Sequence, residues 1–156
     1  MSKKNLYRKN VAMIIVSNDY PLKKEVFIAQ RNDFDNVWQF PQGGIDARED
    51  VQEAMFRELE EEIGTNKVKI IAEYPEWISY DFPPKIAKNM KPYKGQIQKY
   101  FLVKLKKSAK IDVDTKHPEF SDFKFVSVDE ALNISASFKQ KVYKSVIKHF
   151  QKEGYL

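Results

Sequence analysis

GGIDAREDVQEAMFRELEEEIG, running from Gly43 to Gly64, is the stretch around which the rest of the 156-residue chain must be arranged. Glycines bracket it, and Asp50 followed by Glu53 reads as a capping box opening a helix at Val51. Val51, Met55, Leu59 and Ile63 then recur at helical spacing and form an apolar stripe. At about 100° per residue, Glu58, Glu61 and Glu62 share one arc that overlaps the edge of that stripe. Glu62 therefore sits against the side to be buried, and Glu58 borders it. Glu53 and Glu60 point the other way, into solvent.

A charged surface helix does not account for this pattern. Like charges three and four residues apart repel, and no cationic residue lies within the arc. Three carboxylates beside a core edge are costly unless positive charge comes from outside the chain. A hard divalent cation, which prefers oxygen ligands, is the natural supply.

The stretch resembles the Nudix box, G-x5-E-x7-R-E-U-x-E-E-x-G-U, where U is a bulky aliphatic residue. Gly43, Glu49, Arg57, Glu58, Leu59, Glu61, Glu62 and Gly64 match position by position. Thr65 stands where the last aliphatic residue is expected, outside the carboxylate face. The resemblance implies a loop–helix–loop that hydrolyses a nucleoside diphosphate linked to another group. It implies Mg2+, with Mn2+ or another divalent cation as alternatives, on Glu58, Glu61 and Glu62. Glu49 and Arg57 would pair to hold the loop, with Gly64 closing it.

Upstream of the box, Val11–Ser17 is an apolar run of strand length. Asn18-Asp19-Tyr20-Pro21 is turn chemistry, and Val26–Gln30 reads as the returning strand. A polar loop leads to Val37-Trp38-Gln39-Phe40-Pro41, an extended piece delivered into Gly43. Gly43 and Gly44 let the backbone approach whatever the helix holds, so a carbonyl here, that of Gly43, is a further candidate metal ligand. Downstream, Val68–Tyr74 and Trp77–Asp81 read as strands broken at Pro75, with Tyr80 a candidate substrate contact on the second. Phe82–Gly95 is proline-rich and carries Lys85, Lys88, Lys91 and Lys94. It is either a solvated loop or a basic arm over a polyphosphate site.

Gln96–Leu105 alternates as a strand, and Lys106–Asp114 is a charged loop. Phe123–Ser127 is an aromatic strand, followed by a short helix at Val128–Leu132. Phe138, Val142, Val146 and Phe150 mark a C-terminal amphipathic helix whose lysines are expected on its outer face. Strands, helix, strands, helix, without sustained βαβ alternation, fit an α/β fold with a mixed sheet between helices. The resemblance makes that fold the Nudix α/β/α sandwich, one domain over residues 1–156.

The resemblance extends beyond the box. Tyr7-Arg8-Lys9-Asn10-Val11, Trp38-Gln39-Phe40-Pro41-Gln42-Gly43-Gly44, His117-Pro118-Glu119-Phe120 and Ser137-Phe138-Lys139 are similar to the bacterial RNA pyrophosphohydrolase branch. That implies removal of pyrophosphate from the triphosphorylated 5′ end of RNA, promoting mRNA decay, with 5′-triphosphorylated or diphosphorylated RNA as the partner. Relatives implied by the same resemblance cleave dinucleoside polyphosphates such as diadenosine tetraphosphate, which is the alternative reading. A non-catalytic RNA-binding module is a remote one, because every box carboxylate is present. By the same resemblance Glu119 would be a distal ligand or base, and Arg8 would grip a phosphate. Phe138 and Lys139 would help seat a base. Asn32 stands where a second arginine is expected, so recognition of the neighbouring base is expected to differ from that of the relatives.

Composition narrows the chemistry further. There are no cysteines, which removes disulfides and thiol catalysis. The only histidines, His117 and His149, make no zinc or nucleophile constellation. No stretch approaches the roughly 18 apolar residues of a membrane span, and the N-terminus has no signal-type apolar region. A cytoplasmic protein without membrane partners is expected. The net charge of +5 accompanies an acidic motif, so positive charge concentrates elsewhere and favours a polyanionic partner, RNA rather than DNA. The expected reaction is metal-assisted phosphoanhydride hydrolysis, with Glu61, Glu62 and Glu119 all open as the general base.

Overall fold

A computed structural model describes residues 6–156 of the protein. The elements in chain order are β1 (Tyr7–Val16), β2 (Val26–Arg31), β3 (Trp38–Gln39), β4 (Gln42–Gly44), α1 (Val51–Ile63), β5 (Val68–Glu73), β6 (Ile78–Asp81), α2 (Pro84–Ala87), β7 (Gly95–Leu105), β8 (Phe120–Val126), α3 (Val128–Ile134) and α4 (Ser137–Lys152). The sheet runs β3-β2-β1-β7-β5, with β4 beside β1, β6 beside β7 and β8 beside β2. β1 and β7 pair in parallel from Tyr7↔Gly95 to Val16↔Lys104, while the other pairs are antiparallel. This is the expected α/β architecture, a mixed sheet between helices.

The unbroken apolar run of β1 has a physical reason: both of its faces are covered. Val11, Met13 and Ile15 pack with Ala54, Met55, Leu59 and Ile63 of α1. Ala12, Ile14 and Val16 pack on the opposite face with Val142, Tyr143, Val146, Ile147 and Phe150 of α4. Each helix thus buries one stripe, and the sheet is the shared middle layer. Among the described residues no helix is long and apolar enough to cross a membrane.

α1 begins where its capping box places it. The Asp50 carboxylate accepts from the Glu53 N–H (2.8 Å), and the Glu53 carboxylate accepts from the Asp50 N–H (3.1 Å). It ends at Gly64, whose φ of 77° is left-handed and whose N–H donates to Glu60 O (3.1 Å). A Cβ there would also collide with the backbone oxygen of Asp112.

Several expectations need correction. β1 starts at Tyr7 rather than Val11, because its polar first residues pair with β7, Arg8 and Asn10 lining a cleft while Tyr7 donates to Asp81 and Lys9 covers the Trp77 ring. β8 starts at Phe120 rather than Phe123, so Glu119 sits directly at a strand end. The proline-rich segment is not wholly loop: Pro84 opens the short helix α2, where its missing N–H costs nothing. Lys139 lies on the buried face of α4, only 4% exposed, and not with the outer lysines.

Candidate active site

The loop from β4 into α1 is knotted to the helix by one side chain. Arg57 donates from Nε to Glu49 Oε2 (2.7 Å) and from Nη2 to Glu49 Oε1 (2.6 Å), a bidentate pair. Nη2 also donates to the Gly44 carbonyl (2.9 Å). Nη1 donates to Glu58 Oε1 (2.9 Å) and Glu61 Oε2 (3.1 Å). The guanidinium holds Glu49 well below the usual carboxylate range, at about 2. The expectation that nothing cationic offsets the carboxylate arc is therefore wrong for two of its three members. Arg57 precedes them in sequence but curls back between them.

Glu62 is the exception. Its side chain is buried, and Oε2 has no hydrogen-bond partner. Burial first, and the Glu119 carboxylate second, push its proton affinity far up. Burial likewise raises Glu58 to about 7 against the opposing pull of Arg57. Gly43 is packed so tightly under Glu58 that any Cβ would overlap the carboxyl group. Among the described residues no three acidic or histidine side chains already enclose an ion, since Glu58 and Glu61 are turned onto Arg57. What the arrangement offers is a strip of oxygen donors, one of them buried with an empty lone pair.

The strip opens on a cleft of about 1350 Å³ whose lining includes all the box glutamates of the carboxylate arc, Glu119 and Arg8. Arg8 projects from β1 and lays its guanidinium over Gly44, where a Cβ would meet it. Asn32, the apparent departure from the expected arginine, holds the Glu119 loop. Its Nδ2 donates to Pro118 O (2.6 Å) and its backbone N–H to Glu119 O (2.9 Å). Lys85 is on the cleft rim, whereas Lys88, Lys91 and Lys94 are not among the lining residues, so only one lysine of the expected basic arm reaches the site. Lys94 instead covers the Tyr7 ring at 5.2 Å.

The far wall is aromatic. Tyr80 is buried, and its ring lies 5.8 Å from the half-buried Phe138 and 6.0 Å from Phe82. Burial raises the Tyr80 phenol to about 12, so it stays neutral. Sequence reasoning missed Arg31, the last residue of β2. It pairs with Asp33 through Nε (2.8 Å) and Nη2 (2.5 Å) and lies 5.2 Å from the Phe34 ring, inside the cleft. An arginine two residues before an aspartate at a strand end was the available signal.

Lys139 lies under this wall, with Nζ donating to Gln39 Oε1 (3.1 Å) and Gln42 Oε1 (3.4 Å). Desolvation lowers it to about 7 from its ordinary 10.5, despite the helpful Glu119 charge. A lysine whose folded value is depressed contributes its full stability above the unfolded value and loses it as pH falls through the folded one. Lys139→Met is therefore expected to flatten the rise in stability between pH 7 and 10.5 and to gain a few kcal/mol at pH 7. Denaturant titrations of both proteins at several pH values check this; parallel stability profiles would contradict it.

The NUDIX domain model matches residues 6–149. An RNA pyrophosphohydrolase of Campylobacter jejuni subsp. jejuni (strain 81-176) is 58% identical over 156 residues, covering 100% of both chains. One from a Nitratiruptor species is 61% identical over 152 residues, 97% of this chain and 98% of that one. Among solved structures, the E. coli dihydroneopterin triphosphate pyrophosphohydrolase superposes with a TM-score of 0.72 at 18% identity, over 92% of this chain and 99% of that one. With the box geometry in place, these matches make the chain a member of the Nudix family.

Proposed function

We propose that the protein is an RNA 5′ pyrophosphohydrolase, converting the 5′-triphosphate end of RNA to a monophosphate and releasing pyrophosphate, a step that promotes mRNA decay. Residues 1–156 act as one Nudix domain in this reading. The end-to-end identity with RNA pyrophosphohydrolases carries the choice of substrate. The carboxylate strip facing a cleft with basic and aromatic walls supports the chemistry.

A divalent cation, Mg2+ or alternatively Mn2+, fits the residues present. The buried, unpartnered Glu62 Oε2 and the Glu58 carboxyl group, packed against Gly43 where only a glycine lets it sit, are the observations in favour. Glu58, Glu61, Glu62 and Glu119, with the Gly43 carbonyl, would hold it. When bound, the cation supplies positive charge against phosphate oxygens and makes water a better acid. The chain's own residues do the rest. Arg57 opposes the protonation that burial favours at Glu58, hydrogen-bonds Glu61 and fixes the loop through Glu49. Arg8 and Lys85 bind phosphate oxygens, and Tyr80 and Phe138 stack on a base. Glu61, Glu62 or Glu119 accepts the proton of the attacking water.

Comparing kcat/KM for 5′-triphosphorylated RNA and diadenosine tetraphosphate with Mg2+ tests the reading. RNA is expected to be preferred by at least about tenfold. KM for RNA should also rise with salt more steeply than KM for a nucleoside triphosphate, by a slope of about 0.7 for each extra phosphate contacted. Preference for the dinucleotide together with equal salt slopes would transfer the assignment to dinucleoside polyphosphates.

A further inference from the structure

Four lysines of α4 lie outside the cleft and face solvent. Lys141, Lys144, Lys148 and Lys152 are all exposed, and none lines the cleft. At about 100° per residue they fall within one arc of about 80°, and at about 1.5 Å per residue they span about 16 Å. Val142, Tyr143, Val146, Ile147 and Phe150 take the opposite arc and are buried in the core. α4 contains no aspartate or glutamate. Among the described residues, none of the four lysines is in an ion pair.

Such a stripe is unfavourable for the helix that carries it. Lys141 and Lys144, Lys144 and Lys148, and Lys148 and Lys152 are neighbours at i,i+3 or i,i+4, where like charges repel. The helix dipole favours a cation at Lys152, in the last turn, but gives nothing to Lys141 or Lys144. In α1 the run of carboxylates is offset by Arg57, which reaches back to Glu58 and Glu61. α4 carries no counter-charge of its own, so a polyanion outside the chain is the natural source.

An anionic membrane or an acidic protein surface would also match the charge, but both modes need apolar anchors beside it. The exposed large apolar residues among those described are Leu22, Phe34 and Trp77, and none is on α4. A nucleic-acid backbone needs only the charge. The stripe is also continuous with the cleft. Ala136, Phe138 and Lys139 line the cleft at the head of α4, and Lys141 follows two residues later on the outside. We infer that the outer face of α4 is an RNA exosite, where Lys141, Lys144, Lys148 and Lys152, in that order from the cleft, bind backbone phosphates downstream of the 5′ end. This rests on the proposed RNA-cleaving role of the cleft, and it adds the route by which the rest of the strand leaves it.

The test is equilibrium binding, without turnover, of an unstructured 5′-monophosphorylated dodecanucleotide RNA and of the corresponding dinucleotide. In the wild type, the longer RNA is expected to show a salt slope steeper by about 2–3, from three or four further phosphates at about 0.7 each. Raising salt from about 50 to 200 mM should then weaken it about 20- to 50-fold more than the dinucleotide. Changing all four α4 lysines to glutamine should abolish most of that excess, leave dinucleotide binding unchanged and not lower the melting temperature. Lys67, Lys69, Lys106 and Lys107 are exposed around the end of β7 remote from the cleft. Changing those four to glutamine removes the same charge and should leave the excess in place. As the RNA is lengthened stepwise, Lys141→Gln with Lys144→Gln should weaken binding at shorter lengths than Lys148→Gln with Lys152→Gln. The two pairs also keep the inference testable if the fourfold variant folds poorly.

An undiminished slope difference in the α4 variants would overturn the inference. So would an equal loss in the control at the far end of β7, which would make the effect one of net charge alone. Loss of binding to phosphatidylglycerol vesicles by the α4 variant, with the RNA length effect intact, would give the stripe to a membrane surface and overturn it as well. Failure of the RNA-cleaving assignment shows up separately, as poor hydrolysis of triphosphorylated RNA of every length by a wild-type protein that still has the length-dependent slope.

Discussion

Glu62→Gln is expected to lower kcat by about 10³-fold and, in the absence of divalent metal, to raise the melting temperature. A side chain that holds a catalytic cation contributes several kcal/mol of transition-state stabilisation, and the amide keeps shape while losing charge. The stability effect runs the other way because the carboxylate is buried, has an unpartnered oxygen and faces Glu119. A carboxyl whose folded proton affinity is raised contributes fully below its ordinary value of 4.5 and is lost as pH rises toward the folded one. The metal-free wild type should therefore lose stability as pH rises above 4.5, and Glu62→Gln should lose less. At pH 7 the gain is on the order of 2 kcal/mol, or roughly 4–8 °C for a domain of this size. Saturating Mg2+ should raise the melting temperature of the wild type more than that of the variant. Wild-type turnover in Glu62→Gln, or a lower metal-free melting temperature, would show that Glu62 is neither a cation ligand nor a buried liability.

The opposite signs of these effects are what the sequence made legible. Val51, Met55, Leu59 and Ile63 define which side of α1 is buried, and all but the half-buried Val51 are fully enclosed. Once that side is known, Glu62 is on it by geometry alone. β1 could be read because its alternate residues feed two separate cores, which demands an uninterrupted apolar run. What could not be read depends on long-range contact. Lys139 has the sequence neighbourhood of an outer helical lysine, and only Gln39 and Gln42, about 100 positions away, explain its burial. Asn32 looked like a missing arginine, but its side chain holds Pro118 at a separation of 86 residues. Arg31 carried no periodic signal because it closes a strand, and its role follows from the packing of β2 against β8. Arg57 was identified by its place in the box. Its reach to Glu58 and Glu61 is a rotamer, which spacing does not encode.

Arg57→Lys is expected to reduce kcat/KM by about 10²-fold and to destabilise the protein, although the charge is kept. Five hydrogen bonds leave the guanidinium, toward Glu49 twice, Glu58, Glu61 and the Gly44 carbonyl. They radiate in the plane of a rigid fork that an ammonium on a flexible stem cannot reproduce. Lysine would satisfy one or two of them, leaving either the Glu49 arm of the loop or the Glu58 face of the helix unpaired. Because Arg57 is partly exposed, the loss should be about 1–2 kcal/mol for lysine and about 3 kcal/mol for Arg57→Met. The pH dependence identifies the cause. Arg57 pulls Glu58 down against burial, so its removal should let Glu58 rise above about 7, leaving the variant nearer to wild-type stability in mild acid than at pH 8. Stability measured by denaturant titration at both pH values, alongside kcat/KM, separates this from a general packing defect, which would show the same loss at each. A lysine variant with wild-type activity would mean that the charge of Arg57 suffices and that its geometry is incidental. The activity loss would also differ from that of Glu62→Gln in kind, since here stability and rate fall together, as they must if one side chain both ties the loop to the helix and aims the carboxylates.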